Sequence, residues 1–228
     1  MMKKLLVAVG LALAATGANA NIVSGHLAVT GESTVNIVSP NKWGPISTIP
    51  DGGYMSGIAG TLISTVNGTF TATYLGQQAA FANFFLGGGS ELNGGRAMRY
   101  PSPVTGIGNT ISTSVTAGIP VDFAFGQDNN GDNVPDQAVF SNGDTNGNTK
   151  HNKRGILYFL NTYGLTDAGG KAFDFLIGYN DTFADNDFDD YVVGASVNAV
   201  PVPAALPLLA SALGLFGVSR RKSKVKAV

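Results

Sequence analysis

The sharpest chemistry in this chain is a run of oxygen donors on alternate residues of one short loop. In Asp128-Asn129-Asn130-Gly131-Asp132-Asn133-Val134-Pro135-Asp136, the side chains of Asp128, Asn130, Asp132 and Asp136 and the carbonyl of Val134 fall at loop positions 1, 3, 5, 9 and 7. Alternate residues of a tight loop can point inward at one hard cation, and Ca²⁺ accepts carboxylate, amide and carbonyl oxygens in flexible geometry. Gly131 and Asn133 tolerate the left-handed backbone such a loop requires. No Glu stands at a twelfth position to act as a bidentate ligand, which argues against tight, EF-hand-like sensing. The competing reading is a solvated turn, because Asn, Asp and Gly are ordinary turn formers.

A second acidic run, Asn180 and Asp181 followed by Asp185, Asn186, Asp187, Asp189 and Asp190, crowds between two apolar segments. Carboxylates so close repel one another unless a cation or solvent screens them. Asp181, Asp185, Asp187, Asp189 and Asp190 are therefore a weaker candidate calcium set, with hydrated turns as the alternative. Ser141-Asn142-Gly143-Asp144-Thr145-Asn146-Gly147-Asn148 reads as a loop. A glycosidase pair needs one carboxyl with a raised pKa in an apolar cleft, whereas these runs read as strongly hydrated. Glu91 is a further acid with no supporting spacing, and His26 and His151 lack any metal or triad company. No catalytic residue is assigned.

The elements that would position these loops read as strands. Short apolar and β-branched runs occur at Ile22 to Val29, Thr34 to Val38, Ile58 to Val66 and Phe70 to Leu75. Asn41 to Gly53 reads as a loop that Trp43 packs onto the domain, the alternative for Trp43 being a glycan-stacking platform. Gln77 to Leu86 fits helix or strand, and Gly87-Gly88-Gly89 ends it. Ile111 to Phe125 is expected to be one half-buried strand, since Ile119, Val121, Phe123 and Phe125 alternate. Gly155 to Tyr163, nearly all apolar, suits a central strand. Ala172 to Tyr179 should put Phe173, Phe175, Ile177 and Tyr179 on one face and Asp174 on the other, and Tyr191 to Val197 closes the domain. With no long amphipathic helix and no fixed repeat, the expected fold is an all-β sandwich of jelly-roll or Greek-key type.

Composition agrees. Among 228 residues there are 31 Gly and no Cys, which excludes disulfides, thiolate metal sites and cysteine nucleophiles. The two ends hold seven of the 14 basic residues, so the middle sets seven against 15 acidic ones and carries about −8. That charge gives no electrostatic footprint for nucleic acid.

Both ends read as addresses. Residues 1–20 form a secretory signal, with Lys3 and Lys4 before an apolar run and Ala18-Asn19-Ala20 as the small-x-small cleavage site. The exported domain then spans 21–199. Residues 200–228 combine Val200-Pro201-Val202-Pro203-Ala204, an apolar stretch 204–218 and a basic end 220–226 that begins with Arg220 and Arg221. As a helix the stretch is about 22 Å long, enough to cross a membrane once the snorkelling basic ends are included. The basic end places the tail's C-terminus on the cytoplasmic side and the domain outside.

Two resemblances add to this reading. The loop at 128–136 resembles the calcium loops of thrombospondin type 3 repeats, D-x-D-x-D-G-x-x-D, with Asn130 in place of the second Asp and Asn133 in place of the usual Gly. The tail resembles the bacterial PEP-CTERM sorting signal, most of all its VPLPA-CTERM variant, through Val200, Pro201, Pro203, Ala204, Leu206-Pro207-Leu208 and Arg220-Arg221-Lys222. Val202 is neither the Glu of the main form nor the Leu of the variant. The second resemblance implies a Gram-negative exported protein, held in the membrane by its C-terminus, cut near Pro203 by an exosortase and delivered to the cell surface or exopolysaccharide matrix. The expected function is a non-enzymatic surface or matrix protein whose β-domain, stabilised by calcium as its cofactor, binds extracellular polysaccharide or other matrix. The rivals are a secreted glycan-active hydrolase and a purely structural coat protein.

Overall fold

The computed structural model describes residues 21–38, 54–77, 82–92, 106–128, 140–144, 155–181 and 188–201, with Ser211 and Leu213. At 32, 33, 35–38, 54, 55 and 128 it describes the backbone alone. The signal segment, Trp43, His151 and most of the tail thus lie outside the described residues. No helix among the described residues is long and apolar enough to cross a membrane.

Most of the described chain is strand, as the β-branched runs and scarcity of helix formers dictate. In order, the strands are β1 Ile22–Ser24, β2 Leu27–Val38, β3 Tyr54–Ser64, β4 Gly68–Gly76, β5 Ala82–Gly87, β6 Ser90–Glu91, β7 Thr110–Val115, β8 Phe123–Asp128, β9 Phe140–Ser141, β10 Gly155–Leu160, β11 Phe175–Asn180 and β12 Tyr191–Ala199. They form two antiparallel sheets, ordered β1-β2-β3-β10-β11-β12-β4-β7 and β6-β5-β8-β9. Of the stretch Gln77 to Leu86, the part from Ala82 onward is strand, in β5. Its turn into β6 uses Gly88 and Gly89 at φ 57° and 77°, positive values that a two-residue hairpin of this hand favours.

The small sheet lays its aromatic face against the middle of the large one. Phe123 stacks on Phe70 with centroids 6.2 Å apart, and Phe125 stacks on Tyr179 at 5.0 Å and meets Tyr191 edge-on at 5.8 Å. These rings belong to one core with Leu62, Tyr158, Phe175, Ile177, Val193 and Val197. On the opposite face of the large sheet, Leu157, Phe159, Leu176 and Val192 are covered by Phe173 and Phe188. Strands β10, β11 and β12 are therefore buried on both faces, which is why they read as continuous apolar runs rather than alternating ones.

That second layer needs glycines beneath it. A Cβ on Gly194 would sit 2.6 Å from carbons of the Phe173 ring, and one on Gly178 would strike the Phe188 carbonyl. Gly194→Ala is accordingly expected to cost about 2 kcal/mol through overpacking, visible as a lowered thermal midpoint.

Three expectations differ from the structure. The stretch 111–125 is divided between two strands in different sheets, β7 and β8, with Ile119 and Val121 in the connection between them. Between them Ile119, in a turn at Gly118, is 56% exposed. Phe173 precedes β11 and packs on the face opposite Phe175, Ile177 and Tyr179. His26 occupies the exposed turn between β1 and β2 rather than a strand, its amide donating to Asp174 Oδ2 at 3.3 Å.

Candidate functional site

The acidic run at 180–190 does not stand wholly in solvent. Asp181, Asp189 and Asp190 are buried, together with Asn83, Gln127 and Asn180. This corrects the reading of these acids as strongly hydrated. The cause is topological. Strands β11 and β12 pair Tyr179 with Tyr191, so the connection between them begins at the rim of the aromatic core. Strands β5 and β8 of the other sheet pair Asn83 with Gln127 and Ala82 with Asp128 at that same rim.

Asn83 joins the two sheets. Its Nδ2 donates to Asp181 Oδ2 at 2.6 Å and to the Asp190 carbonyl at 3.2 Å, while the Asp181 amide donates to Asp190 Oδ2 at 2.7 Å. Asn83 Oδ1 is buried and meets no hydrogen-bond partner among the described residues. Phe188, next to the acids, has φ 54°, a left-handed conformation costly for a bulky side chain. That backbone places the ring of Phe188 in the outer apolar layer, one residue before the buried Asp189.

Both candidate calcium segments thus start from one end of the molecule, β8 ending at Asp128 beside the residues that hold Asp181 and Asp190. The side chain of Asp128 and all of Asn130, Asp132, Val134, Asp136, Asp185 and Asp187 lie outside the described residues. Among the described residues, no three His, Cys, Asp or Glu side chains group as a metal site would. Glu91 is exposed on β6, apart from this cluster.

A second polar bridge is built on Asn142, in the turn that follows β9. Its Oδ1 accepts from the Leu62 amide at 2.8 Å and from the Tyr158 hydroxyl at 2.7 Å. Its Nδ2 donates to the carbonyls of Leu62 and Val121, each at 2.7 Å. All four hydrogen-bonding positions of the amide are filled. The bridge lies where the large sheet is weakest, since among the described residues β3 and β10 pair only through Ile58 and Tyr158. Only the spacing of a lone Asn after β9 could have signalled it, and Asn is common in turns for local reasons.

Burial pushes the phenols of Tyr158 and Tyr74 well above the ordinary value near 10. For Tyr158, bonds with the backbone at Gly143 and Leu62 oppose the shift without reversing it. Both tyrosines stay protonated in the folded chain at a pH where the unfolded chain loses those protons. Stability, complete below pH 10, is thus expected to fall as pH rises above it, by about 1.4 kcal/mol per unit for each tyrosine. Urea unfolding at successive alkaline pH values measures this, and Tyr158→Phe should flatten the dependence.

Fold and site together define an all-β protein of two antiparallel sheets with a buried acid–amide cluster at one end. Compared with known proteins, the chain matches no family model, no curated protein and no solved structure.

Proposed function

We propose that this chain is a non-enzymatic protein of the cell surface or exopolysaccharide matrix, a β-sandwich exported by its N-terminal signal, sorted through its tail and binding extracellular glycan. The observation that carries the reading is where the sheet stops. The β12 ladder ends with Ala199 opposite Gly68, and the Val200 amide donates to the Asn67 carbonyl at 2.9 Å. The next residue is Pro201. A finished strand followed at once by Val200-Pro201-Val202-Pro203 is the organisation expected of a folded domain ahead of a removable anchor. The sandwich assignment is supported by the ring contacts between the two sheets.

The test is removal of residues 200–228 in a secreting bacterial host. The expected product is a folded domain released to the medium and retained on immobilised polysaccharide without shortening it. Release as unfolded aggregate would refute the separation of domain and anchor. Breakdown of the glycan would favour the hydrolase, and a folded product with no retention the coat protein.

Calcium suits the donor chemistry of the acidic runs at 128–136 and 180–190. The described acids alone do not group as a metal site, so the calcium reading rests on the donor spacing, and bound calcium would neutralise carboxylates removed from water. Calcium at a hundred times its dissociation constant is expected to raise stability by about 2.7 kcal/mol. An unchanged melting curve at millimolar calcium would remove the cation from the proposal.

A further inference from the structure

The weak seam between β3 and β10 opens into a groove of about 340 Å³. It is lined by apolar residues, among them Ile58 of β3 and Phe159 of β10, and by the hydroxyl-bearing residues Thr34, Ser56, Thr162 and Tyr163. None of the eight described residues that line it carries a charge. Tyr163 is half-buried against the outer apolar layer, and Thr34, Ser56 and Thr162 are exposed. The groove follows from topology. Among the described residues one bridging pair holds β3 to β10, and the chain then turns at Asn161, whose side chain bonds the Leu165 amide and the carbonyls of Leu165 and Phe173. That turn brings Thr162 and Tyr163 into the groove lining.

We propose that this groove binds one neutral glycosyl unit of a polysaccharide. The proposal rests on the glycan-binding reading above and gives it a site. A pyranose presents C–H faces edged by hydroxyls that both donate and accept. Aliphatic and aromatic walls with Thr, Ser and Tyr hydroxyls offer the matching surface, because each of these hydroxyls also does both. The volume lies at the small end of ligand sites, suited to a single ring rather than an oligomer. An uncharged lining supplies no partner for a uronate or sulfate, and the negative field of the domain opposes both. Among the described residues the groove lining holds no carboxylate, so binding there is expected to need no bridging calcium.

The test is calorimetric titration of the full-length chain, in a zwitterionic detergent without sugar groups, with cellotriose, maltotriose, N-acetylchitotriose and the anionic trigalacturonate. At least one neutral trisaccharide is expected to bind, unaffected by EDTA as long as the fold persists, and trigalacturonate is not. Tyr163→Phe and Thr162→Val, which leave the packing in place, should each weaken binding by about tenfold. Undiminished trisaccharide binding by both variants would overturn the groove as the site while leaving the glycan reading intact. Retention on polysaccharide without trisaccharide binding would likewise overturn the groove alone. Loss of both would overturn the two together. Preference for trigalacturonate, or for an alkyl chain competing at the same residues, would overturn the assignment to a neutral sugar.

Discussion

Asn142→Ala is expected to destabilise the folded chain by about 4 kcal/mol, lowering its thermal midpoint by about 10 °C. Four side-chain hydrogen bonds disappear, each contributing about 1 kcal/mol net. The Leu62 amide and the fully buried Tyr158 hydroxyl lose their acceptor at the same time. The position is severe because the amide stands where a neighbouring strand would otherwise be, receiving and returning the Leu62 hydrogen bonds as a ladder partner does. Asn142→Asp keeps the shape but replaces a donor by an acceptor facing two carbonyls, so at neutral pH it should be worse than Ala. Urea unfolding monitored by tyrosine fluorescence measures both variants. A wild-type midpoint for Asn142→Ala would show that the bridge adds nothing to the seam.

The second large effect is expected at Asn83. Asn83→Ala removes the donor to Asp181 Oδ2 and to the Asp190 carbonyl in a buried setting, at a cost of about 3 kcal/mol. A cavity alone would cost less for so small a side chain. Asn83→Asp separates the two causes, since it leaves almost no cavity yet sets a second carboxylate against Asp181. It should be the less stable variant, and millimolar calcium should offset its loss more than that of Asn83→Ala if a cation is held there. Equal stability of the two variants in chelator would mean that packing, and not charge, governs this end.

Much of the architecture was legible in the residues. Gly155 to Leu160 announces a strand buried on both faces because nothing polar interrupts it, and Gly87-Gly88-Gly89 announces a hairpin. The unbroken alternation through Ile119, Val121, Phe123 and Phe125 concealed a change of sheet. Period two reports which side a residue takes, not which partner strand it has, and the exposed turn at Gly118 is set by contacts with Ser64. Phe173 misled for a related reason, since alternation fails one residue outside a strand. The acidic run looked hydrated because local sequence shows only its own charge. Its burial depends on Asn83, 98 residues from Asp181 in the chain. Asn142 was hidden in the same way, 80 residues from Leu62. A side-chain amide that substitutes for a strand leaves no periodic trace.

The last strand has one further consequence, a mechanical one. Beyond Ala195, β12 has β4 on one side but no longer β11 on the other. In place of β11, Asp174 Oδ2 accepts from the Val197 amide at 3.1 Å, and Lys171 Nζ donates to the Val197 carbonyl at 3.1 Å and to Asn198 Oδ1 at 2.7 Å. The strand from which the tail emerges is therefore gripped along both edges inside the sheet. Tension applied through residue 200 along the axis of β12 would load its hydrogen bonds in shear, many at once, rather than peel them in succession. A chain tethered at this point in flowing water would yield only when the whole row gave way together.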